Sequence, residues 1–197
     1  DNCALLTNSL KPYACCRHTH AADYCAQLLR GEHRLEPEHI TRIVDHTYQV
    51  AVNTVDNPEP STPYGYKFSG QYCTAAMLVY GHLGESAFTP EATSDPRVRR
   101  LMDKITLVCD PELEASYQAD RNRWAHRLEV TLEDGRVLTR QVEYPYGDFN
   151  NPFTWAYEHE KFHTLADGVL GPDRVAALVE RLPHLEELDD INRLFEG

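Results

Sequence analysis

The sequence predicts an α+β domain: an antiparallel sheet with a hairpin, packed by helices and followed by a three-helix C-terminal tail. Three observations predict it. From Trp124 to Tyr144, apolar and polar residues alternate on both sides of Asp134-Gly135, the dipeptide that closes tight hairpins. Extended and helical stretches do not alternate steadily, which sets aside a doubly wound parallel sheet. The chain closes with three apolar-periodic segments separated by Gly168, Gly171 and Pro183.

Residues 1–10 carry little pattern. Ala21, Ala22, Tyr24, Cys25, Leu28 and Leu29 then recur at helical spacing, so a helix is expected from about Thr19 to Arg30, ended by Gly31. Glu36 to Arg42 reads as a short helical turn. From Val44 the period becomes two. Val44, His46, Tyr48, Val50 and Val52 share one face, and Asp45, Thr47, Gln49, Ala51 and Asn53 the other. That pattern predicts a half-buried strand. Three prolines and a glycine make Asn57 to Tyr66 a loop.

Ser69 is placed to cap the next helix, whose stripe is Tyr72, Ala75, Ala76, Leu78, Val79 and Leu83, with Gly84 near its end. Ser94-Asp95-Pro96 opens another helix running to about Asp103, because Pro suits a first turn. Ile105 to Cys109 reads as a short strand, and the hairpin follows. Helices are expected at about Thr154 to Ala166, Pro172 to Arg181 and Leu185 to Phe195. The expected division is 1–147 for the α+β domain and 148–197 for the helical tail.

The 197 residues carry a net charge of -12, with 42% hydrophobic and 25% charged residues. That composition is ordinary for a globular protein, and its acidity argues against nucleic acid or an anionic membrane as partner. No apolar run approaches a membrane span, and no signal peptide is visible. The chain begins with Asp1 rather than Met, so it is expected to be cropped or processed, with a leader or a whole domain missing. Six cysteines (Cys3, Cys15, Cys16, Cys25, Cys73 and Cys109) are irregularly spaced, and two fall within helical patterns. Free thiols in a reducing cytoplasm are the simpler expectation.

Against this acidic background, Lys11-Pro-Tyr-Ala-Cys-Cys-Arg-His-Thr-His20 stands out. It holds Lys11, Arg17, His18 and His20 with no acidic residue, and it leads into a helix N-terminus. Cations, imidazoles and helix N–H groups together favour an anionic ligand. The thiols and imidazoles also invite a metal reading. That reading is set aside because the spacing is too compressed for two separated ligand pairs and no second pair stands nearby.

The same segment, Lys11-Pro-Tyr-x-x-Cys-Arg-x-Thr-His20 before an alanine-rich helix, resembles the start of the C-terminal half of the MmgE/PrpD family. Further landmarks resemble the family in order: Phe68-Ser69-x-x-Tyr72, Asp95-Pro96-x-Val98, Asp110-Pro111-Glu112-Leu113, Asp134-Gly135-Arg136, Gly147-Asp148, Asn151-Pro152, Lys161-Phe162 and Leu185-Glu186-Glu187-Leu188-Asp189-Asp190. The resemblance implies a chain about twice this length, mostly homodimeric, with an N-terminal all-helical domain to which the final helices return. It implies proton abstraction next to a carboxylate on a small di- or tricarboxylic acid, without metal or organic cofactor. The reactions implied are those of 2-methylcitrate dehydratase, cis-aconitate decarboxylase and iminodisuccinate epimerase.

The resemblance also implies residue roles. Lys11 matches a family active-site lysine, as carboxylate clamp or acid/base; without the resemblance it reads as a solvated lysine. Cys16 stands where decarboxylases carry a catalytic histidine. It serves as a thiol activated by Arg17, His18 and the helix end, or as a small packed residue. Arg17 suits bidentate carboxylate binding, and His18 lies beside it. His20 reads as acid/base or as a capping or core histidine. Tyr72 matches a tyrosine whose hydroxyl faces substrate, or is a core aromatic. Lys67 and Ser69 flank it as carboxylate contacts, Ser69 equally as an N-cap. His46 reads as structural. A non-catalytic binding or assembly module is the alternative to an enzyme.

Overall fold

The computed structural model describes residues 4–195, so Cys3 lies outside the described residues. The chain divides into two compact units that meet at Pro152/Phe153.

The first unit begins with the helix α1, His20–His33, whose Ala22, Cys25, Ala26 and Leu29 are buried. It passes through Gly31 and ends at Arg34, which takes the left-handed conformation at φ 49°. The helix therefore ends three residues later than expected. Glycine weakens a helix without breaking it.

The strand β1 is Ile40–Thr47 and is followed by the helix α2, Gln49–Val55. This corrects two expectations. The stretch from Glu36 is a single 3-10 turn, Pro37–His39, that gives way to strand at Ile40. The strand stops at Thr47 instead of running to Asn53. Tyr48 is wholly buried, and the Gln49 N–H donates to Glu114 Oε2 at 2.8 Å, which turns the chain into α2. Ala51 and Val55, four apart, become its buried stripe. The β-branched Val50 and Val52 favoured a strand locally, and packing overrode that preference.

Short helices α3, Pro63–Lys67, and α5, Pro90–Thr93, flank the central helix α4, Gly70–Tyr80. Ser69 caps α4 as expected, accepting from Tyr72 N–H at 3.0 Å. Gly81 rather than Gly84 ends it, at φ 80°, a conformation that costs glycine little. Asp95 caps the helix α6, Pro96–Met102, by accepting from Arg97 N–H. The strand β2, Ile105–Cys109, falls where expected. The helix α7, Pro111–Ala119, is capped by Asp110 and was not anticipated as a helix. The strands β3, His126–Leu132, and β4, Val137–Val142, form the expected hairpin, and Gly135 in the turn takes φ 85°.

The sheet order is β2-β1-β3-β4. The β1/β3 and β3/β4 pairs are antiparallel, but β1 and β2 run parallel, with Ile43 opposite Ile105 and Thr47 opposite Cys109. The sheet is thus mixed at one edge. The connection through α2 to α6 is long enough for the crossover that parallel pairing needs. The helices α1 and α4 pack on each other; α1 covers β3 and β4, and α4 covers β2. Beneath them lie Ile43, Ile105, Leu107, Leu128 and Val130. Each such side chain contributes about 1.5–3 kcal/mol on burial.

The expected polar face of β1 proved to be its inner one. Asp45 and Thr47 are buried because His126 of β3 bonds both, with Nδ1 2.7 Å from Asp45 Oδ1 and Nε2 3.0 Å from Thr47 Oγ1.

The second unit holds the helices α8, Trp155–Leu170, and α9, Pro172–Arg181, packed together, then the 3-10 segments Leu182–Glu187 and Ile191–Phe195. Two of the expected tail helices form. The third is replaced by the 3-10 segments. Among the described residues, no helix is long and apolar enough to cross a membrane.

Candidate functional site

The end of β1 and the start of β3 lie side by side, since His46 pairs with Arg127. The 11–20 segment runs along this end of the sheet. Backbone bonds strap it, and the residue just before it, at three points, each 2.8 Å: Leu10 N–H to Gly147 O, Ala14 N–H to Leu83 O and Cys16 N–H to Lys67 O. Three separate parts of the chain therefore fix one segment, and its side chains are positioned by tertiary contacts rather than by its own conformation.

Lys11 is exposed, and its Nζ donates to the Cys15 carbonyl at 3.0 Å. Arg17 donates from Nη2 to Asp148 Oδ2 at 2.5 Å, and its guanidinium lies 5.2 Å over the Trp124 ring. Its Nη1 is buried with no hydrogen-bond partner among the described residues. His18 stacks on Trp124 with ring centroids 4.5 Å apart, and its Nδ1 is 2.7 Å from the Tyr48 hydroxyl. Burial lowers the His18 pKa to about 4, and the nearby His126 and Arg17 push the same way. His18 is therefore a neutral imidazole at physiological pH. Burial also raises the Tyr48 hydroxyl pKa, so it stays protonated.

Of its two expected readings, Cys16 takes the packed one in this fold. Burial pushes its thiol pKa up, and neighbouring Cys15 and Asp23 add to this, outweighing the His18 N–H and Lys11. It is a protonated, packed thiol at neutral pH, not one activated by Arg17 and the helix end.

His20 is fully buried beneath the segment, edge-on to Tyr13 at 5.2 Å, with Nε2 3.4 Å from the Cys15 carbonyl oxygen. Tyr72 is also fully buried. Its hydroxyl donates to the Ala87 carbonyl, and its ring packs on Tyr66 and Phe88, so the hydroxyl is bonded within this unit. Ser69 spends its hydroxyl on the Asn57 carbonyl at 2.6 Å and on the cap of α4. Lys67 pairs with Glu85 at 2.8 Å and lies over Phe88. His46 sits between Asp110 and Glu129, at 3.7 and 3.5 Å.

The structure thus gathers Lys11, Cys16, Arg17 and His18 on one wall, and draws Tyr72 and Ser69 into the packing around α4. Sequence reasoning missed Tyr48, Trp124 and Asp148 as parts of that wall. Only the register of β1 with β3 and the return of the chain after β4 bring them there. Chemically, the wall offers an exposed ammonium, a buried guanidinium N–H and a neutral imidazole. That set suits a carboxylate better than a neutral or cationic ligand.

The free cysteines Cys15, Cys16, Cys25 and Cys73 are buried and Cys109 is exposed, as the thiol reading expected of the described residues. Cys15, Asp23 and Cys73 also meet in the interior, with one ligand atom from each within 4.8 Å of the others.

A family model described as the MmgE/PrpD C-terminal domain matches residues 13–184, beginning two residues after Lys11. The chain is 32% identical over 136 residues to a mitochondrial 2-methylcitrate dehydratase of Yarrowia lipolytica, covering 66% of this chain and 26% of the relative. It is 35% identical over 111 residues to a 2-methylcitrate dehydratase of Cupriavidus necator, covering 55% and 23%. It is 28% identical over 204 residues to a cis-aconitate decarboxylase of Aspergillus terreus, covering 96% and 40%. The chain spans a quarter to two-fifths of the length of these curated relatives.

Proposed function

The chain belongs to the MmgE/PrpD family, and from that premise we propose that it is the C-terminal part of a cofactor-independent lyase acting on a small di- or tricarboxylic acid such as 2-methylcitrate. The observation that carries the reading is the buried Arg17 Nη1 without a hydrogen-bond partner among the described residues, within a family match that includes residues 13–184. A carboxylate is the ligand that would satisfy it at least cost. Lys11 and Arg17 hold substrate carboxylates and offset charge developing on the enolate-like intermediate. The base takes the proton from the carbon next to a carboxylate. The C–H electron pair becomes the new double bond, and hydroxide leaves the neighbouring carbon with a proton, as water.

Lys11 is assigned the carboxylate clamp or acid/base role, because His20 is sealed beneath the wall. The remaining groups are proposed to come from a helical domain that partners this one, on which α8 and α9 dock, in a homodimeric cytoplasmic enzyme. A decarboxylase of the same family is the second reading, supported by the relative that aligns over 96% of this chain. The test is turnover of 2-methylcitrate, cis-aconitate and iminodisuccinate by the full-length protein and by Lys11→Ala. Loss of at least about 100-fold in Lys11→Ala is expected. No turnover of any of the three, or an unaffected variant, would sink the assignment.

A further inference from the structure

We propose a second site, independent of the reaction above: a buried zinc-class metal site formed by Cys15, Cys73 and Asp23. The sequence argument against metal was that no second ligand pair stood near Cys15 and His20. The fold supplies one. Cys73 comes from α4, Asp23 from the first turn of α1 and Cys15 from the segment leading into α1. One ligand atom from each lies within 4.8 Å of the other two. Tetrahedral zinc with Zn–S bonds of about 2.3 Å sets its ligands roughly 3.8 Å apart. Side-chain adjustments of up to about an ångström would therefore bring the three donors to that spacing.

An independent observation points to a cation. Asp23 is fully buried, yet its Oδ1 has no hydrogen-bond partner among the described residues. A buried carboxylate oxygen left unpaired is costly unless a proton or metal meets it. Its other oxygen, Oδ2, accepts from Thr19 Oγ1 at 2.7 Å and from Cys15 Sγ at 3.5 Å. His20 lies against Cys15. Hydroxyl and carbonyl contacts of this kind orient metal ligands from outside the cage. Two sulfurs and one carboxylate suit zinc or its soft neighbours, and exclude magnesium and calcium, which require oxygen cages. On binding, each thiol gives its proton to solvent and its sulfur lone pair to the metal. The ion would tie α1 to α4 and so hold the segment that carries Lys11 and Arg17.

The experiment is metal analysis of the full chain purified without chelator, followed by exchange with cobalt(II). About one equivalent of zinc is expected, and cobalt should give thiolate charge-transfer absorption with intense tetrahedral bands. Cys15→Ser, Cys73→Ser and Asp23→Asn should lose or alter those bands, while Cys25→Ser and Cys109→Ser retain them. Wild-type protein alone supplies a second readout, because chelation should lower its Tm and added zinc should restore it. Metal-free wild-type protein that takes up no cobalt, bands unchanged in Cys15→Ser and Cys73→Ser, or a Tm indifferent to both chelator and zinc would overturn the site.

Discussion

Arg17 and Asp148, 131 positions apart, form the ion pair that closes the end of the sheet. Nη2 stands 2.5 Å from Oδ2, and the Asp148 side chain is only 3% exposed. Asp148 also accepts from Ser9 Oγ at 3.0 Å and from Asn150 N–H at 2.9 Å. The pair fixes the guanidinium that presents Nη1 to the proposed ligand. Removing one partner strands a charge in a mostly buried place, so Asp148→Ala should cost roughly 3 kcal/mol. Urea denaturation at constant m-value measures it. A loss below about 0.5 kcal/mol, the range of ordinary surface changes, would refute the role.

His18 makes stability depend on pH with a defined sign. Its ordinary value is 6.5, and in the fold it is lowered to about 4, chiefly by burial. Above about 6.5 both folded and unfolded chains carry a neutral imidazole, and His18 has no effect. As pH falls from about 6.5 to about 4, the unfolded chain takes up the proton and the folded one does not. Stability is therefore lost across that window. His18→Gln should flatten the decline between pH 7 and pH 4.5. Parallel stability curves for wild type and variant would contradict the lowered value.

Tyr72 and Ser69 act in the packing of α4 in this structure. Tyr72→Phe should cost about 1 kcal/mol through the lost bond to the Ala87 carbonyl, with little change in kcat. Ser69→Ala should cost a similar amount through the lost cap. Thermal melts and steady-state kinetics separate the two roles. A large fall in kcat with an unchanged Tm in Tyr72→Phe would return its hydroxyl to the substrate.

The second unit leaves Trp155, Leu165 and Val169 exposed. Apolar surface of this kind marks a docking face or an association hazard. The chain by itself should self-associate with rising concentration in sedimentation velocity, and Leu165→Glu with Val169→Glu should shift it toward monomer. A clean wild-type monomer at every concentration would count against the docking role of α8.

Periodic and capping signals were legible wherever one local rule dominated. The hairpin at Asp134-Gly135, the caps at Ser69 and Asp95, and α9 all fell where propensity and pattern agreed. Legibility failed at β1, where Val50 and Val52 obeyed the strand rule while Tyr48 was buried and Glu114 capped a helix. It failed again at Asp45 and Thr47, whose polarity concealed an inner face. A lone carboxylate in a strand gives no sign that a histidine 81 residues later will satisfy it.

By itself, then, the sequence determined the α+β class, the family resemblance and the cationic segment from Lys11 to His20. Those follow from local composition and spacing. Tertiary structure alone decided which members of that segment face outward, that Cys16 is a protonated packed thiol, and that Trp124, Tyr48 and Asp148 complete the wall. It also brought Cys73 to Cys15 and Asp23. Burial and partner choice set these outcomes, and both depend on contacts between residues far apart in the chain.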